Sequence, residues 1–129
     1  MSQYTTEESN NENIVEQKKM NKHTFSILIG KGNIEFEEVQ LNFYLYSDDS
    51  LKLEKLAKYL ISKGYEMDVV EESSKNEFVL DGTSIGIKFS NENLNEWTTH
   101  MCNLGLGCDC KFISWGLKKK QKQLVTNDL

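Results

Sequence analysis

The clearest alternation in the chain is VQLNFYLY, where Val39, Leu41, Phe43 and Leu45 interleave with Gln40, Asn42, Tyr44 and Tyr46. A period of two puts the sets on opposite faces of a strand, one buried and one open. The pattern then changes to a helical one, with Leu53, Leu56, Ala57, Leu60 and Ile61 in one stripe and Glu54 four residues before Lys58. Ser47, Asp48 and Asp49 supply the cap and acidic first turn, and Gly64 the left-handed stop. YEMDVVEE (Tyr65 to Glu72) is extended and SSKN (Ser73 to Asn76) is a loop. A second extended unit runs from Glu77 to Phe89, interrupted at Asp81-Gly82 and alternating at Ile85, Ile87 and Phe89. Ser90 caps a second helix with the stripe Leu94, Trp97, Met101, Leu104, which the glycines at 105 and 107 end. CKFISW (Cys110 to Trp115) is the closing strand.

This order, β-α-β-β-α-β, predicts an α+β domain of the ferredoxin-like kind: an antiparallel sheet with two helices on one face. The other face is left to solvent, a partner or the extra N-terminal segment. That segment is less periodic. Residues 1–13, polar and rich in Ser, Thr, Glu and Asn, read as a disordered arm. Between residues 14 and 29 two readings stand: a strand TFSILI (Thr24 to Ile29) turning at GKGN, or one helix stopped by Gly30 or Gly32, with the helix favoured. The expected organisation is thus an arm over 1–13, one domain over 14–117 and a lysine-rich tail over 118–129.

Length fits one domain. Net charge is −5, and between His23 and Leu117 fifteen acids face eight lysines. Every basic residue is lysine, so the chain offers no guanidinium fork to phosphate or guanine, and its acidic body repels a nucleic-acid backbone. Direct nucleic-acid binding is therefore not expected. Tyr44 and Tyr46 are the only aromatic platform for stacking bases, and the third strand presents Thr83, Ser84, Gly86 and Lys88 instead. KKKQKQ (Lys118 to Gln123) reads as a solvated terminus, with docking on an acidic partner or loosely on RNA as the alternative. No apolar run reaches the ~20 residues that cross a bilayer, and the N-terminus lacks the basic and apolar regions of a signal peptide. With an odd number of cysteines this points to a reducing, cytoplasmic setting and no membrane partner.

Candidate chemistry is thin. His100, Cys102, Cys108 and Cys110 supply enough donors for tetrahedral zinc, but in no common spacing. His100 and Cys102 lie about 200° apart around a helix, and buried cysteine usually packs as a small hydrophobe. No metal, no cofactor and no catalytic set are expected. GKGN lacks the ending of a phosphate-binding loop. The closing strand raises a sharper question. Alternation sets Cys110, Phe112 and Ser114 against Ile113 and Trp115, so if Phe112 packs inward, Trp115 falls on the open face or its rim. There it would join Tyr44 and Tyr46 as a partner-binding anchor; packing against the N-terminal segment is the alternative.

Over roughly Ile27 to Leu117 the chain resembles the RraB-type regulators of ribonuclease E. The resemblance rests on the order of elements, the helix start at Ser47 and Asp49, the junction Gly64-Tyr65-Glu66, and Trp115-Gly116 closing the last strand. Members commonly end that strand with Asp-Gly-Trp-Gly-Thr; here Ile113-Ser114-Trp115-Gly116-Leu117 keeps only the Trp-Gly pair. The resemblance implies a non-enzymatic cytoplasmic regulator that binds and restrains a ribonuclease by protein–protein contact. The family's named member has an acidic tail where this chain has lysines. An acidic body suits a basic nuclease or its RNA-binding region, and it equally suits the alternative of an immunity protein neutralising a toxin nuclease. Oligomeric state is not readable from the sequence.

Overall fold

The computed structural model describes residues 3–32 and 34–118 of the chain. Among these, three helices, α1 (Glu7–Lys31), α2 (Ser50–Ser62) and α3 (Asn91–Gly107), accompany seven strands: β1 (Glu38–Val39), β2 (Leu41–Ser47), β3 (Glu66–Met67), β4 (Glu71–Ser74), β5 (Glu77–Thr83), β6 (Ile87–Lys88) and β7 (Lys111–Leu117). The main sheet is antiparallel in the order β3-β5-β2-β7, with β4 also on β5; β1 and β6 form a separate two-stranded ribbon.

The core follows the predicted periods. Leu41, Phe43 and Leu45 of β2 are buried, together with Leu53, Leu56 and Leu60 of α2, Leu94, Trp97 and Met101 of α3, Leu80 of β5 and Phe112 of β7. Phe43 lies at its centre, edge-on to Tyr65 and Trp97. The Trp97 Nε1–H donates to the Tyr65 hydroxyl at 2.9 Å, so neither buried aromatic leaves a polar atom stranded. Asp49 rather than Ser47 caps α2, accepting from Leu51 N–H at 2.9 Å. Gly64 has φ of +96°, the left-handed conformation its place after the helix requires.

Several expectations are corrected. The arm expected to be disordered over 1–13 instead begins a helix: Thr6 caps α1 by a capping box with Ser9, and α1 continues unbroken through Gly30 to Lys31. This resolves residues 14–29 as helix. Asp81-Gly82 does not interrupt β5. A Cβ on Gly82 would stand 2.7 Å from the Glu66 carbonyl oxygen, so glycine is needed there for β3 to cross closely, not for a turn. Gly105 similarly lies inside α3, where a Cβ would stand 2.8 Å from the Cys110 carbonyl oxygen. The lysine tail beyond Lys118 lies outside the described residues.

The largest correction is what α1 buries. Its buried side chains are Asn10, Gln17 and Asn21, with Asn13 alongside: a stripe of amides at helical spacing. These side chains reach α3 and β7. Asn10 donates to Asn103, Asn13 to the Phe112 carbonyl at 2.9 Å, and Gln17 to the Ile113 carbonyl at 2.8 Å. Asn21 donates to Asn95 and Thr98. The apolar groups that α1 packs against the core are Ile14 and, toward its C-terminal end, Phe25, Leu28 and Ile29, with Phe25 against Phe89 at 5.1 Å.

Candidate functional site

Register turns the open sheet face into a grid. Asn42, Tyr44 and Tyr46 point away from the core, and their cross-strand partners share that face. One row across the sheet reads Gly116, Asn42, Thr83, Glu66. The next reads Ser114, Tyr44, Asp81, then Asp68, whose N–H donates to the Asp81 carbonyl at 2.9 Å. The third reads Lys111, Tyr46, Val79, Glu71. From strand to strand, the face grades from Gly116, Ser114 and Lys111 at β7, through tyrosines on β2, to a column of carboxylates at the β3–β4 edge.

Two further groups extend it. Glu77 follows Val79 on the same face of β5, and the Tyr4 hydroxyl donates to it at 2.8 Å. Burial first, then the hydrogen bond and charge of Glu77, push the Tyr4 phenol above its ordinary range. Asp81 is raised by burial first, then by the charge and hydrogen bond of Asp68, with Glu71 adding to it. Tyr44 stays 43 % exposed at the middle of the grid. Against five carboxylates (Glu66, Asp68, Glu71, Glu77, Asp81) the rows hold one base, Lys111. The face is thus predominantly acidic around an exposed aromatic ring.

The predicted anchors are not all brought together. Tyr44 and Tyr46 are neighbours on the open face, but Trp115 is on the other side of the sheet. Between Tyr44–Ser114 and Leu45–Phe112 the pairing slips, leaving Ile113 as the extra residue of a β-bulge. Phe112 and Trp115, three apart, therefore both face inward, opposite Leu45 and Phe43. Trp115 packs edge-on to Phe89 at 6.4 Å and donates its Nε1–H to Asn21 of α1 at 2.7 Å. Strict alternation excludes that arrangement; one bulge permits it. Conversely, Tyr4 and the carboxylate column escape a reading of the sequence, because only register assembles them.

The cysteines and His100 do not form a cluster. His100 is exposed, whereas Cys102 and Cys110 are buried. Burial pushes the Cys102 thiol up to about 11 and the Cys110 thiol up to about 12, which keeps both protonated and inert. Cys108 caps the C-terminus of α3 and lines a cavity of about 270 Å³ between α2 and α3 with Leu56, Tyr59 and Leu104. Among the described residues no group of three or more His, Cys, Asp or Glu is placed to hold a metal ion. Among them, too, no helix is long and apolar enough to cross a membrane.

Residues 18–117 match the family model described as RraB, regulator of ribonuclease activity B. The chain belongs to the RraB family. Comparison with curated proteins finds no match. The RraB region takes in the whole sheet, α2, α3 and the half of α1 that carries Asn21 and Phe25. The part of α1 that carries Asn10, Asn13 and Gln17 precedes it, as does Tyr4. RraB membership places the chain among proteins described as regulators of ribonuclease activity.

Proposed function

We propose that this chain is a non-enzymatic cytoplasmic regulator that restrains a ribonuclease by direct contact, using the open face of its sheet. The observation that carries this reading is the grid itself: a half-exposed Tyr44 flanked by Tyr46 and backed by Asp81, Asp68, Glu66 and Glu71. Its charge is complementary to a basic nuclease surface or RNA-binding region, and a central aromatic is the residue type that anchors such interfaces. Family membership supports the regulator over the toxin-neutralising alternative. The antiparallel order β3-β5-β2-β7, with α2 between β2 and β3 and α3 before β7, supports a ferredoxin-like scaffold for it, β4 adding to the β5 edge and β6 lying outside the main sheet.

The test is titration of the purified chain against the host's RNA-degrading endoribonuclease, following RNA cleavage and complex formation together. The intact chain slows cleavage by binding the enzyme, and Tyr44→Ala weakens that binding by about 2 kcal/mol, some 30-fold. Tyr44 is a partly exposed strand position directed away from the core, so the variant keeps its thermal stability within about 1 kcal/mol. A chain that binds no ribonuclease, or a Tyr44→Ala variant that binds as tightly as the parent, contradicts the reading.

A further inference from the structure

The open sheet face, taken as the docking surface proposed for the ribonuclease, also specifies the chemistry of its partner. We propose that the face recognises arginine: a partner guanidinium seats on the exposed ring of Tyr44 and forks onto the Asp81 and Asp68 carboxyls beside it. Tyr44 and Asp81 are directly opposite in the β2–β5 pairing, and Asp68 follows Asp81 one strand further out. At strand spacings of about 4.8 Å, ring and carboxyls form one line across the sheet. On the other flank stand Ser114 and, one row on, Gly116, too small to overhang the ring. The planar guanidinium both stacks on an aromatic and presents paired N–H donors to carboxylates, whereas an ammonium is a compact point charge. The chain has no arginine of its own to fill this place, and Lys111 stands a row away, opposite Tyr46.

Proton linkage gives the seat a second signature. Asp81 is surrounded by Tyr44 on β2, Asp68, Glu66 and Glu71 on the β3–β4 side, and no base in its own row. Burial and then Asp68 favour its protonated form. A guanidinium favours the charged form, so binding expels a proton and strengthens as pH rises through the pair's titration range.

The test uses two synthetic peptides of equal length and charge, one alternating arginine with serine and one lysine with serine, in calorimetric titrations of the full chain. The arginine peptide binds roughly fivefold tighter. Tyr44→Phe keeps that preference; Tyr44→Ala abolishes it. Repeating the titration within the carboxyl pair's titration range, in buffers of different ionisation enthalpy, shows more proton release for the parent than for Asp81→Asn. Equal affinity for the two peptides, a preference that survives Tyr44→Ala, or binding of neither peptide overturns the assignment. No ribonuclease enters the measurement. A chain that restrains its nuclease through Tyr44 yet treats both peptides alike therefore loses only the arginine seat.

Discussion

Asp109 does more than its place in a turn requires. It sits between α3 and β7 at φ of +60°, a conformation that aspartate tolerates better than most residues. Its carboxylate accepts the Tyr4 N–H at 3.0 Å, the Thr5 N–H at 2.8 Å, the Thr5 hydroxyl at 3.2 Å and Lys52 Nζ at 2.6 Å. One side chain thus ties the N-terminal residues, α2 and the α3–β7 turn together. Burial works against its charge, but the hydrogen bonds from Lys52 and then from Tyr4 and Thr5 prevail and hold it at about 2. Because the folded value lies below the unfolded one, the clasp is fully present above about pH 4, and its contribution is lost as pH falls toward 2. Asp109→Asn, which keeps the backbone conformation, lowers stability at neutral pH by about 1–3 kcal/mol and flattens the acid limb of the stability curve. Urea melts at several pH values measure both, and an acid limb identical to the parent's contradicts the assignment.

At the scale of elements, what was legible in the sequence was what apolar periodicity encodes. β2, α2 and α3 buried the stripes their spacing predicted, with Ile61 alone off the core of α2, 55 % exposed. α1 was ambiguous because the stripe it turns to α3 and β7 is Asn10, Asn13, Gln17 and Asn21, which carries no apolar period at all. The amides fit because β7 is a sheet edge: at its bulge Phe112 and Ile113 offer successive carbonyls outward, and Asn13 and Gln17 donate to them. The same bulge hid the side on which Trp115 lies. Of the candidate site, Tyr44 and Tyr46 were readable from alternation, whereas the carboxylates beside them depend on pairing between segments distant in sequence. The Asn21–Trp115 contact tests this account. Asn21 is fully buried and joins Trp115, Asn95 and Thr98. Asn21→Ala costs about 2–3 kcal/mol by stranding those groups, and a double-mutant cycle with Trp115→Phe returns a coupling of about 1 kcal/mol. Trp115→Phe leaves ribonuclease binding unchanged. A loss of binding with stability intact would return Trp115 to the interface.

For the molecule as a whole, the net charge of −5 conceals a separation. α2 and its caps carry Lys52, Lys55, Lys58 and Lys63 against Asp49 and Glu54, while the open sheet face carries Glu66, Asp68, Glu71, Glu77 and Asp81 against Lys111. Since α2 lies over the core-facing side of β2 and β5, these charges look away from each other. A basic partner approaching this field is turned toward the sheet, which acts on the rate of association more than on the lifetime of the complex. Two substitutions that change net charge equally separate this from a general attraction. Glu71→Lys puts a positive charge in the carboxylate column and slows association roughly threefold or more at low salt, with the deficit shrinking as ionic strength rises. Glu54→Lys makes the same change on the helix side, costs a few tenths of a kcal/mol by setting a lysine four residues before Lys58, and leaves the association rate within about twofold of the parent. Stopped-flow association with the ribonuclease at two salt concentrations measures both; equal slowing by the two variants would mean that net charge, not the sheet face, attracts the partner.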